Sequence, residues 1–166
     1  MKDRILERLN RLISAMVGAV IRSPERRETA EQFMRFAIIG VANTCIDFGI
    51  YYLLTRHTSF FSAERPTRYL ANVISFCTAT TWSFFANRTW TFGRTDRPTF
   101  GEAARFYATT ISGLAINSGV LYVCSQVFAV NDLVSKVFST VFSTVWNFAF
   151  KKLWVFVPET EKEAAV

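Results

Sequence analysis

Asn43 and Asp47 stand four residues apart in an apolar run, so a helix stacks them on one face. Asp47 can accept hydrogen bonds, carry a proton or attract a cation, and Asn43 can both donate and accept. Asn72 and Asn117, in two further apolar runs, add amides that can donate and accept, for a bond between helices or for a ligand. A second set is basic. Asn87-Arg88 and Lys151-Lys152 are each followed by alternating aromatics, Trp90 and Phe92 in the first case, Trp154 and Phe156 in the second. Arg presents a planar fork to phosphate oxygens and Lys a point charge. Basic residues beside Trp and Phe are also what a membrane–water interface selects, so these aromatics are read as an interfacial belt.

Other chemistries lack their residues. No paired carboxylates, Cys/His or Ser/His arrangement and no phosphate-cradling glycine loop is present, so an enzyme is not expected. His57 has no Cys or His near it, which argues against a metal site, and nothing calls for another cofactor. Cys45, Cys77 and Cys124 all fall inside apolar runs and read as small packing residues, not a disulfide framework.

The elements that must position these groups are four apolar stretches, 36–54, 69–86, 106–130 and 133–150. The first has 19 residues, enough to cross a hydrocarbon core of about 30 Å. An ionisable group near the centre of such a helix costs at least about 2.5–3.5 kcal/mol, so Asp47 is expected to face a partner or a watered cavity. The second stretch is unusually polar, with Asn72 among several Ser and Thr that can bond back to helix carbonyls. In the third, Ala115 and Gly119 permit close helix approach. Hydrophobic residues make up 51% of the chain against 19% charged, a balance that suits a membrane protein of one domain. The net charge of +6 does not point to nucleic acid, because the basic residues lie between and beside the apolar runs.

Residues 1–22 carry Ile5, Leu6, Leu9, Leu12, Ile13, Met16, Val17, Val20 and Ile21 at helical spacing, with Arg4, Glu7, Arg8 and Arg11 off that stripe. This reads as an amphipathic helix lying on anionic lipid, or alternatively as a partner-binding helix. Ser23-Pro24 breaks it. The implied division is a leader over 1–31, a membrane domain over 32–157 and a flexible tail over 158–166. Lys and Arg number 8 through Arg35, 4 in 87–105 and 3 after Phe150, against 3 and 1 in the other two connections. That asymmetry places both termini and the middle loop in the cytoplasm, and four spans return the chain to its starting side.

The halves repeat. At an offset of 70, Arg35-Phe36 meets Arg105-Phe106, Asp47 meets Asn117, Gly49 meets Gly119 and Tyr52 meets Tyr122. At an offset of 64, Asn72-x-x-Ser75 meets Lys136-x-x-Ser139, and the run 84–92 meets 148–156. Two spans per half make a parallel repeat, an arrangement found in transporters with sites near the repeat interface. The expected fold class is therefore an all-α membrane protein, four transmembrane helices in two parallel two-helix repeats behind an amphipathic interfacial helix.

The motifs RFAIIGVANTCIDFGIYYLL, YLANVISF, NRTWTF, the restart at Arg105-Phe106 and KKLWVF together resemble the GtrA-like family of small bacterial membrane proteins, over about residues 33–157. The resemblance implies four membrane helices in the bacterial inner (cytoplasmic) membrane. It further implies translocation of a polyprenyl-phosphate-linked sugar for O-antigen or other cell-surface polysaccharide, beside a membrane glycosyltransferase. By position, Asn43, Asp47, Asn72, Asn87 and Arg88 stand at the family's polar and basic motif places. The second half departs from that pattern, with Lys151-Lys152 where Asn-Arg is common. On this reading Arg88, Lys151 and Lys152 gather the phosphate, while Asn43, Asp47, Asn72 and Asn117 meet the sugar. A homo-oligomer would enlarge the cavity. Two competing classes are a scaffold that anchors a glycosyltransferase and moves nothing, and a proton-coupled exporter of small cations centred on Asp47.

Overall fold

A computed structural model describes residues 2–61 and 67–157. The expected tail over 158–166 and Arg65 of the first connection lie outside these residues. Within them the chain is helical, with no strand. The elements are α1 (Lys2–Val20), α2 (Pro24–His57), α3 (Arg68–Ala86), α4 (Phe100–Tyr122) and α5 (Asp132–Phe150), with π-helical turns at Asn87–Thr91, Val123–Val127 and Lys151–Val155.

The chain forms two compact units, 1–93 and 94–166, which divide it where the repeat does. In the first, α2 packs along α3 and α1 rests on α2. In the second, α4 packs along α5. Pro24 opens α2 at a position where its missing N–H costs no bond. From there α2 runs unbroken for 34 residues, about 51 Å, straight through the leader boundary at 31. Thr99 caps α4 through a reciprocal pair: its hydroxyl accepts from the Glu102 amide (3.2 Å) and its amide donates to Glu102 Oε2 (3.2 Å). Glu102 is 1% exposed. Arg94 lies 3.6 Å from Glu102, grips Asp96 with two 2.8 Å bonds and donates to the Val157 carbonyl, which ties the start of α4 to the segment just past the last π turn.

What seats the helices on one another is a row of small residues. On α3 the buried face is Ala71, Ser75, Ala79 and Ser83; on α5 it is Ser135, Ser139 and Ser143, continued by Asn147. Each row advances four residues at a time, one face of a helix, and the rows correspond at the offset of 64. Small side chains let two backbones approach closely, which is how helices associate in lipid. The same rows explain a compositional difference. Among the described helices, α2 is the one long and apolar enough to pass for a span, with mean hydropathy 1.5 over 18 residues of which 6% is buried. The others, 19 to 23 residues long, reach about 28–35 Å, but their Ser, Thr and Asn dilute the apolar content.

Three expectations change in the structure. The leader's apolar stripe is divided: Ile13 and Val17 are buried, while Ile5, Leu12, Met16 and Val20 are exposed. Cys45 and Cys77 are exposed instead of packed, Cys77 because it lies off the small-residue row of α3, and Cys124 is half-buried. Phe156 is not a belt residue. It is 3% exposed and packs on Phe106 at 6.0 Å between ring centroids. The wider π turn before it carries it round onto the α4 side.

Candidate functional site

In the first unit, the Ser75 hydroxyl donates to Asp47 Oδ1 at 2.6 Å across the α2–α3 contact. Ser75 is fully buried on the small-residue row and also donates to the Asn72 carbonyl at 3.1 Å. Among the described residues Asp47 has no ion pair; its partner is this hydroxyl. Asn43 shares the Asp47 face one turn earlier, as its spacing requires, and its Oδ1 is buried without a hydrogen bond. The Asn72 side chain is exposed and is not brought to Asp47. Asp47→Ala is expected to destabilise the fold in detergent by about 1 kcal/mol, since Ser75 keeps its second acceptor. Asp47→Asn retains an acceptor and should leave the unfolding midpoint unchanged.

At the end of α3 the backbone widens into a π turn, closed by the Phe92 amide on the Asn87 carbonyl at 3.0 Å. Such turns recur at functional sites. Asn87 (1% exposed) pins it: its Nδ2 donates to the Ser83 carbonyl (2.9 Å) and Ser83 Oγ (3.1 Å), and its Oδ1 accepts from Thr91 Oγ1 (3.1 Å). Arg88 is 3% exposed, so a guanidinium charge is held inside the protein. Gly93 follows with φ of +62°, a left-handed conformation that costs glycine least, and turns the chain out of the unit. Trp90 is half-buried and donates its indole N–H to Asn10 Oδ1 of α1 at 3.0 Å.

The second unit repeats this plan with exchanged parts. Asn117, at the Asp47 position, donates to Ser143 Oγ at 3.2 Å across α4 and α5. The closing π turn is again sealed by an aromatic amide, Phe156 to the Lys151 carbonyl at 2.9 Å. Lys151 replaces Asn87 and is 5% exposed, with Nζ 3.9 Å above the Phe106 ring. Burial lowers its ammonium from 10.5 to about 7, against the opposing pull of the ring face. Lys152 is half-buried and Trp154 is exposed.

One exchange runs across the helix contact. Gly113 of α4 occupies the Asn43 position, and Asn147 of α5 occupies the Ser83 position. Asn147 lies flat on Gly113: a Cβ there would overlap Asn147 Nδ2 and stand 2.6 Å from its Cγ. Asn147 Nδ2 donates to the Ser143 carbonyl at 2.9 Å, while its Oδ1 is buried without a bond, as is that of Asn43.

The family model for the GtrA/DPMS transmembrane domain matches residues 35–156. The chain belongs to that family. The GtrA/DPMS match opens on Arg35-Phe36 and closes on Phe156, so it takes in both repeat halves and leaves α1 outside. The chain is also similar to YngA of Bacillus subtilis (strain 168), described as an uncharacterized membrane protein: 32% identical over 131 residues, 78% of this chain and 82% of that one. It is therefore a membrane protein, of a family associated with polyprenyl-phosphate-linked sugars and membrane lipids. Within the GtrA/DPMS region, Ser75, Ser83 and Ser139 are visible as polar residues of the apolar runs, but their membership of two small-residue rows, and Ser143 with them, belongs to no motif. A count of small residues at every fourth position would have found them.

Proposed function

We propose that the protein translocates a polyprenyl-phosphate-linked sugar across the bacterial inner membrane for use in cell-surface polysaccharide such as O-antigen. The observation that carries this is the pair of repeat-related π turns, each holding a buried basic residue, Arg88 at 3% and Lys151 at 5% exposure. Burial of a cation at the end of a membrane helix suits a phosphate ligand better than water. On this reading α2 to α5 are four spans in two parallel repeats, both termini and both basic turns are cytoplasmic, and α1 lies along that surface. The carrier's polyprenyl chain stays in the bilayer while only the head group needs a polar route. Within the first unit the Arg88 turn holds a phosphate and the Asp47–Ser75 pair serves a sugar; the second unit repeats that arrangement by itself with Lys151 and Asn117–Ser143. No bond is made or broken, so the chain is no enzyme, and a membrane glycosyltransferase charges the carrier.

The test is equilibration of a polyprenyl-phosphate sugar across liposomes containing the purified protein, followed by the fraction accessible from outside. Wild type should equilibrate the lipid faster than empty vesicles. If it moved none while retaining a glycosyltransferase from membranes, the scaffold reading would replace this one.

A pH dependence follows from Lys151, the first residue past the fourth span. Lysine is cationic below its pKa, so capture by the second unit should be strong below about pH 7 and fade above it. Lys151→Arg stays charged throughout and should flatten the pH profile of the flux. A wild-type profile that is already flat would rule out a titrating Lys151.

A further inference from the structure

Among the described residues of helix α1 three edges can be told apart, and one of them docks inside the protein. Leu6, Leu9, Asn10, Ile13 and Val17 form the docked edge, buried or half-buried. It is fixed at two points. Asn10 accepts the Trp90 indole N–H at 3.0 Å, and Arg27 of α2 donates to the Ser14 carbonyl at 3.1 Å, its guanidinium lying over Gly18.

At 3.6 residues per turn, the next edge round is apolar and bare: Ile5, Leu12 and Met16 are 55%, 60% and 53% exposed. Beyond it come Arg8, Arg4 and Arg11, all exposed. Glu7 is also exposed but stands between Arg11 and the docked edge, on the side away from the apolar residues.

We propose that α1 is a lipid-binding helix clamped to the protein by its docked edge, so that an anionic membrane surface and the Asn87–Thr91 turn are held by one rod. An apolar edge bordered by arginines matches the layered chemistry of an anionic leaflet, acyl chains below and phosphates above. The Asn10–Trp90 bond lies two residues from Arg88, so lipid bound on α1 is held beside the basic turn. This inference rests on the reading that the turn is cytoplasmic and extends it by naming what α1 binds. No protein partner is needed to cover the bare edge.

The experiment uses the full chain with its three native cysteines replaced by serine and a single fluorophore attached through Met16→Cys or through Ala15→Cys, on the arginine side. Protein is reconstituted in phosphatidylcholine vesicles with or without phosphatidylglycerol, and quenching by brominated acyl chains is read. We expect quenching roughly twofold or more stronger at position 16 than at 15. Phosphatidylglycerol should deepen it, and the triple change Arg4→Gln, Arg8→Gln, Arg11→Gln should abolish that response. Equal quenching at both positions, or none, overturns the proposal, as does indifference to phosphatidylglycerol. Transport in the same vesicles is a separate readout: the quenching pattern without lipid movement keeps α1 as a lipid helix and sinks the flippase. Movement without the pattern does the reverse.

Discussion

Arg88→Ala is expected to slow equilibration of the lipid-linked sugar by roughly 10- to 100-fold, the kinetic equivalent of losing about 1.5–3 kcal/mol of charge-assisted hydrogen bonding. The size follows from burial. At 3% exposure the guanidinium has little water around it, so its attraction for a phosphate beside it is weakly screened by solvent. Arg88→Lys should retain part of the flux, since it keeps the charge and loses the fork. Lys152→Ala should cost less, because Lys152 is only half-buried. Helical content measured in detergent separates a lost ligand contact from a lost fold. Arg88→Ala protein that stays helical and transports at the wild-type rate would remove Arg88 from the mechanism.

The second large effect concerns packing. Gly113→Ala is expected to destabilise the second unit by about 1–3 kcal/mol, the usual range for forcing an extra methyl into a filled contact. The overlap is with the Asn147 side chain, which has to rotate off Gly113 and give up its bond to the Ser143 carbonyl in a buried contact. Pairing Gly113→Ala with Asn147→Ser reproduces a small residue at the Ser83 position and should recover most of the loss. Unfolding of the purified variants, followed by circular dichroism, gives both numbers. A double variant no better than the single would mean that the crowding is elsewhere.

Much of this architecture is written at the level of runs and offsets. The apolar stretches, the break at Ser23-Pro24 and the two halves are legible because they rest on composition and on repeated spacing. The stacking of Asn43 and Asp47 follows directly from helical period. The Asp47–Ser75 bond is not legible that way, because it joins residues 28 apart and depends on the rotation of α3 about its own axis. The same rotation leaves Asn72 exposed, although it is only three residues from Ser75. Alternation with Trp154 assigns Phe156 to the interface. The π turn inserts an extra residue into the helical count and defeats any assignment made by strict period. In the leader, one stripe was visible, but its division into a docked half and a bare half requires knowing where Trp90 stands.

The exchanged asparagines bear on how the chain sorts its own helices as it is made. In the second unit the correct pair sets Asn147 of α5 against Gly113 of α4, whereas in the first the asparagine, Asn43, is on the earlier helix and the small residue at the matching later position is Ser83. Were α2 to zip onto α5, two asparagines would compete for the same space. Were α3 to zip onto α4, serine and glycine would face each other across a void. Both errors cost packing that the proper partners supply. A duplicated chain runs the danger that either half mistakes the other's helix for its own, and here a single side chain moved to the opposite helix tells the two apart.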